Sequence, residues 1–431
     1  MAGIRTTAVR VEPVCRRQRA RAPEPWPEAS PLSLRRDVLL SFWIQGAGAV
    51  SVLVATLLLG ATFGPEVQGG FNRSKAEIEF IAALALLGLP QALFFHVKAG
   101  RLGMPSALRF ASLSVLVALV IGAAYAIVRH PQAGALGVLL LGLAVAACVA
   151  HGQLRALTLL GARVEWFGAV TALPQVLVLL FVGAVCARSA DAAVAPVWWA
   201  IFALAFGIGT VLAWQRLQRT AAATAGDEAG WRALAHYGLA AWLTAVLYTA
   251  ATLVVQHVLE RTAGRAALGQ FTLAMTLVQV PLTPIGYAAP LLFKRWMEQP
   301  AGGGSRRWAS LFFGLLLGFA VVVWAAASIW PDLGIGAAYD GTARALAVLL
   351  AGAAAESASR LLTVQASASG LPWIAVRAES ARWAVLAAGW LLPLPVGLLS
   401  VATVWALAAG AAALVFVAHA RTVPVTLAGA R

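Results

Sequence analysis

Residues 134–158 read GALGVLLLGLAVAACVAHGQLRALT, and no charge interrupts them before Arg155. A helix needs about 20 apolar residues to cross the ~30 Å hydrocarbon core of a bilayer. This stretch is long enough, and its apolar residues run on without the period-2 alternation of a half-buried strand, so it reads as a transmembrane helix. Working outward in both directions, the same reading predicts twelve spans, at approximately 38–60, 78–97, 107–128, 134–158, 167–187, 194–215, 237–259, 268–292, 308–330, 343–368, 374–392 and 396–418. The whole chain of 431 residues is 61% apolar and 11% charged, with mean hydropathy +0.82. Soluble domains are about 45–50% apolar, so a soluble globular protein is excluded. The predicted fold class is all-α, a polytopic membrane protein.

The 32 Lys and Arg against 17 Asp and Glu give a formal charge of +15. The basic residues sit in short clusters between apolar runs, which is a topology signal and excludes nucleic acid as a partner. Residues 1–37 carry eight Arg, five Pro and four acids with no apolar run, the composition of a disordered basic tail and not of a signal peptide. With that tail placed inside, inner segments hold 24 Lys and Arg and outer ones seven. The expected location is therefore a bacterial inner membrane, crossed many times, with both termini cytoplasmic. Cys15, Cys148 and Cys186 are scattered, so neither a disulfide framework nor a metal site is expected. A P-loop and a His-Glu-x-x-His motif are both absent from the sequence, so no cofactor, no metal and no ATP hydrolysis is expected.

The longest internal polar interruption, Gln218 to Ala235, divides the spans six and six. The predicted organisation is a cytoplasmic tail at 1–37, a six-helix lobe at 38–217, a cytoplasmic linker at 218–236, a second six-helix lobe at 237–420 and a cytoplasmic tail at 421–431. The halves carry a faint repeat. At an offset of 200, Gly69-Gly70-Phe71 lies over Gly269-Gln270-Phe271 and Pro90 over Pro290. At an offset of 205, Arg155-Ala156-Leu157-Thr158 lies over Arg360-Leu361-Leu362-Thr363, which pairs His151 with Glu356. Further on, Arg163-Val164-Glu165 answers Arg377-Ala378-Glu379. The preserved order predicts two pseudo-symmetric lobes around a central pathway.

Leu58-Leu59-Gly60, Phe63-Gly64-Pro65-Glu66, Gly69-Gly70-Phe71 and Gly88-Leu89-Pro90-Gln91-Ala92-Leu93 resemble the opening of polysaccharide-unit flippases, a branch of the multidrug/oligosaccharidyl-lipid/polysaccharide exporter superfamily. Leu268-Gly269-Gln270-Phe271 and Ala289-Pro290-Leu291-Leu292-Phe293 resemble that family's eighth helix, and the resemblance runs from about Leu34 onward. It implies two six-helix lobes in a V, alternating access, and export of a polyprenyl-diphosphate-linked oligosaccharide, a polysaccharide repeat unit, from the inner to the outer leaflet. The implied partners are the lipid-linked sugar, membrane lipids and a polysaccharide polymerase or export machinery. Twelve spans depart from the fourteen typical of lipid II flippases. The chain is not expected to be an enzyme, because polymerases and ligases acting on such substrates need a sizeable outer loop. A drug/cation antiporter of the same superfamily is the main alternative, and it needs acids deep in the pathway. Another twelve-span superfamily marks its second loop with Gly-x-x-x-Asp-Arg-x-Gly, whereas Lys98-Ala99-Gly100-Arg101-Leu102-Gly103 lacks the Asp.

Charges inside a bilayer are costly and normally face a partner or a watery cavity. Glu356 and Arg360 share one helical face and form either a structural ion pair or part of the pathway, with Glu356, taken as the one mid-span carboxylate, as a coupling candidate. Arg155 either anchors the inner end of its span or joins Arg360 in binding a diphosphate through paired guanidinium donors. His151 is either a pocket group or a packing residue. Glu260, beside Gln256, His257 and Arg261, is either solvated at the outer interface or a coupling site. Arg73 and Lys75 follow a Gly-rich turn and read either as a solvated outer loop or as the mouth that meets phosphate or acidic sugars. Trp198-Trp199 reads as interfacial belt, and Gly314 with Gly318 as a weak helix-contact motif.

Overall fold

The structure, a computed structural model, describes residues 31–98, 100–160, 164–188, 195–220, 231–298, 304–329, 339, 341–369, 371–391 and 397–422. Nearly all of the predicted N-terminal tail, most of the 218–236 linker, Arg163 and the last residues of the C-terminal tail lie outside them. The elements are α1 (Pro31–Leu86), α2 (Leu89–Lys98), α3 (Met104–Arg129), α4 (Gly134–Thr158), α5 (Val164–Ala187), α6 (Ala195–Thr220), α7 (Trp231–Glu298), α8 (Gly304–Ile329), α9 (Thr342–Ala368), α10 (Trp373–Leu391) and α11 (Leu398–Thr422).

A straight helix of the 56 residues of α1 would run ~84 Å at 1.5 Å per residue, far beyond one bilayer crossing. It is bent at Gly64, whose φ of 81° and ψ of 178° break the helical backbone, and Pro65 then starts the second arm, where its missing N–H is no loss. The 68-residue α7 bends in the same way at Gly264, with φ 87° and ψ 173°. A side chain would be strained at either position. Among the described residues nine helices are long and apolar enough to cross a membrane. Two of them, Phe42–Leu86 and Tyr237–Phe293, contain these bends, and at 45 and 57 residues each is long enough for two crossings. The 19-residue α10, which carries Arg377, Glu379 and Arg382, is not among the nine.

The second span differs from the sequence reading. Its helix begins at Pro65, so Arg73 and Lys75 lie on a helix and not in a loop. It then breaks at Leu87 and Gly88, which have φ of 51° and 65°. The break lets the backbone at Gly88 press on α7. A Cβ there would lie 1.9 Å from the Gly238 carbonyl oxygen, and the Trp242 indole donates to the Leu84 carbonyl at 3.0 Å. Gly88→Ala combines a positive φ with that clash, so a loss of about 1–3 kcal/mol of stability is expected, read as a lower melting temperature in detergent.

The two halves repeat one arrangement. Helix α4 lies against α3 and α6 as α9 lies against α8 and α11, and α5 meets α1 as α10 meets α7. Each half has its own core, one including Leu59, Phe71, Leu141 and Phe202 and the other Val255, Leu282, Leu349 and Trp405. Trp198 and Trp199 belong to the first core at 1% and 0% exposure. They are therefore not interfacial belt, because Phe71 and His130 meet them edge-on at 5.4 and 5.1 Å. Leu113, Leu116 and Val120 on α3 and Leu315, Phe319 and Val322 on α8 form exposed apolar stripes facing outward, the surface that lipid covers. A Cβ at Gly314 or Gly318 would meet nothing within 4 Å, so that spacing makes no helix contact here.

Candidate functional site

Four charged side chains converge inside the second half. Arg360 donates from Nε to Glu356 Oε1 at 3.2 Å, one turn back on α9, and from Nη2 to the Tyr248 hydroxyl at 3.2 Å and Gln279 Oε1 at 3.4 Å. The other Glu356 oxygen accepts from Arg382 Nη2 at 2.5 Å. Arg382, on α10, is completely buried and also donates from Nε to Glu379 Oε2 at 2.8 Å. Its guanidinium lies 5.2 Å from the Tyr248 ring and 5.4 Å from that of Trp405, within cation–π range. Its Nη1 makes no hydrogen bond. Two carboxylates and two guanidinium groups thus offset one another where a lone charge would be prohibitive. Glu356 is not the one mid-span carboxylate, as the sequence reading had it, because Glu379 is buried beside it. Arg382, one of the 24 basic residues that the sequence places on the inner side, is a core residue. The signal was present: Glu379 and Arg382 stand three apart in a run of helical residues, a spacing that places them on one face.

The corresponding site in the first half is different. His151 is 4% exposed, its Nε2 sits 2.9 Å from the Val170 carbonyl oxygen, and its ring meets Phe206 edge-on at 5.3 Å. The Arg155 guanidinium lies 5.9 Å from the centre of the Phe167 ring. Arg155 and Arg360 occupy equivalent places on α4 and α9, but the partners of Arg360 all come from the second half. Glu165, the repeat mate of Glu379, is exposed at the start of α5. The buried charge cluster is therefore a feature of one half.

The halves meet where α1 and α7 bend. Gly69 and Gly269 touch, a Cβ on Gly69 lying 3.0 Å from the Gly269 nitrogen, and Asn72 Nδ2 donates to Thr272 Oγ1 at 3.4 Å. Both pairs are 200 residues apart, the repeat offset. Residues related by a pseudo-twofold axis can touch only beside that axis, so it passes here. Tyr339 donates to Gln68 Oε1 at 2.5 Å. Around this contact Arg73 bridges the halves, pairing with Glu260 through Nη1 and with Glu77 at 3.4 Å. Glu77 also meets His130 Nε2 at 3.2 Å, Arg265 meets Glu260 at 3.4 Å, and Lys75 pairs with Glu79 at 3.5 Å. An open pocket of about 510 Å³ lies at this end.

Two long bent helices, repeated halves and a contact on their shared axis define a two-part helical membrane protein. No protein-family model matches the sequence, and no curated protein matches it. Solved structures match the fold. The MATE multidrug transporter DinF-BH is similar at TM-score 0.65 and 15% identity, covering 92% of this chain and 97% of its own. A Vibrio cholerae MATE transporter, VcmN, reaches 0.61 and 16% over 92% and 99%. A Pyrococcus furiosus transporter of the MOP superfamily, described as having a binding pocket of reverse polarity, reaches 0.62 and 14% over 90% and 95%.

Proposed function

We propose that this chain is a transporter of the multidrug/oligosaccharidyl-lipid/polysaccharide exporter superfamily that moves a polyprenyl-diphosphate-linked oligosaccharide from the inner to the outer leaflet of a bacterial cytoplasmic membrane. In this reading both termini are cytoplasmic, the Gly64/Gly264 end faces outward, and a polysaccharide polymerase or export machinery takes the product. One observation supports an anionic cargo most. Every buried carboxylate among the described residues, Glu77, Glu356 and Glu379, is already bound by arginine or histidine. A cation antiporter needs a buried acid free to exchange its proton for cargo, whereas an anionic headgroup needs guanidinium donors. A drug/cation antiporter is the second reading, favoured by the MATE structures that share the fold, and Glu379 would be its exchanging acid.

Deleting the gene tests the cargo class. The expected result is loss of a surface polysaccharide with lipid-linked precursor accumulating on the inner leaflet. Normal polysaccharide with increased drug sensitivity selects the antiporter. Within the flippase reading Arg155→Lys keeps the charge and removes the fork. It is expected to lose most polysaccharide export in a complementation assay while membrane abundance stays near normal.

A further inference from the structure

We infer that the pocket at the Gly64/Gly264 end is a binding site for a phosphate-type anion, a diphosphate or phosphodiester, assembled from both halves of the protein. Arg73 and Arg129 line it from the first half, and His257, Glu260, Arg261 and Arg265 from the second. Four guanidinium groups thus surround one lining carboxylate. Glu260 is shared between Arg73 and Arg265, and neither Arg129 nor Arg261 is ion-paired with an acid among the described residues. Like charges gathered around one cavity repel unless an anion offsets them. Solvation accounts for exposed arginines one at a time; the half-buried His257 adds to the same wall an imidazole whose Nδ1 has no hydrogen-bond partner among the described residues. Guanidinium forks suit the paired oxygens of phosphate groups.

The site bears on movement as well as binding. Arg73 joins the halves by its pairing with Glu260, so an anion that competes for Arg73 loosens that bridge. Arrival of the ligand and separation of the halves at this end then become one event, since a ligand shifts a conformational equilibrium by its differential affinity. The inference deepens the transport reading, on which it rests for the source of the anion: the headgroup of a prenyl lipid, or a soluble phosphate compound.

Calorimetry on the purified full-length protein in detergent, with inorganic pyrophosphate and with farnesyl diphosphate as probes, tests it. Saturable binding is expected, weakened at least tenfold in the double variant R129Q/R261Q, whose positions are exposed and whose folding a thermal melt verifies. E260Q removes the competing carboxylate and is expected to tighten binding severalfold. Farnesyl diphosphate binding tenfold tighter than pyrophosphate assigns the anion to a lipid headgroup, and equal binding assigns it to a soluble compound. Absence of saturable binding by both probes, or unchanged affinity in R129Q/R261Q, overturns the site. Binding that depends on these arginines in a protein whose deletion leaves surface polysaccharide intact retains the site and removes the flippase reading.

Discussion

Arg382→Met is expected to remove most of the folded protein, at a cost of about 3–5 kcal/mol, the usual penalty for taking one partner from a buried ion pair. The guanidinium is completely buried, and it holds Glu356 at 2.5 Å and Glu379 at 2.8 Å. Methionine fills similar volume and loses every one of these donors, leaving Glu379 with no cation and Glu356 with Arg360 alone. Membrane abundance and the melting temperature of the purified protein should both fall. The double variant Arg382→Met with Glu379→Met removes one charge of each sign and leaves the Glu356–Arg360 pair intact, so most of the stability should return. An unchanged melting temperature in the single variant would show that Glu379 and Glu356 are neutralised otherwise. A stable double variant that no longer transports would make the pair part of the working cycle and not only of the core.

The same cluster shows what a sequence can and cannot reveal. The spans are legible because a bilayer imposes length and hydropathy on each helix separately, and nothing far along the chain has to be known. The Glu356–Arg360 pairing is legible for the same reason, since a four-residue spacing decides it. The Arg382–Glu356 bond joins positions 26 residues apart on different helices, and no periodicity announces which faces of α9 and α10 will meet. Trp198 and Trp199 are misread in a related way. Their position near the start of α6 fits an interfacial belt, yet the first core reaches far enough to cover them. Arg73 is assigned to a loop because Gly69-Gly70 looks like a turn. The glycines are instead tolerated within a helix, and Gly69 brings that helix against its repeat mate. The faint repeat aligned the two glycines without saying that they touch, and the chemistry gathered around the contact depends on both halves at once.

Under the proposed transport function, Gly269→Ala is expected to abolish transport while leaving the protein abundant. A Cβ on Gly269 would lie 2.0 Å from the Pro65 carbonyl oxygen and 2.6 Å from its carbon. These are backbone atoms, so no side-chain rotation relieves the clash, and the two bent helices must separate. Separation pulls apart Asn72 and Thr272 and the Arg73 bridge to Glu260, the contacts that close this end. In the transport function proposed above each end must close in turn, so a protein held open here could not complete that cycle. Loss of local helix stability is not the cause, because alanine is the better helix former by about 1 kcal/mol. Gly286→Ala, on the same arm of α7 with nothing within 4 Å of its added Cβ, serves as control and should transport normally. Closure itself is read from Thr272→Cys in a background without native cysteines. Thr272 is 3% exposed, so an impermeant maleimide should label it slowly, and much faster once Gly269→Ala is added. Equal labelling with and without Gly269→Ala would mean that the Gly69–Gly269 contact does not hold this end closed.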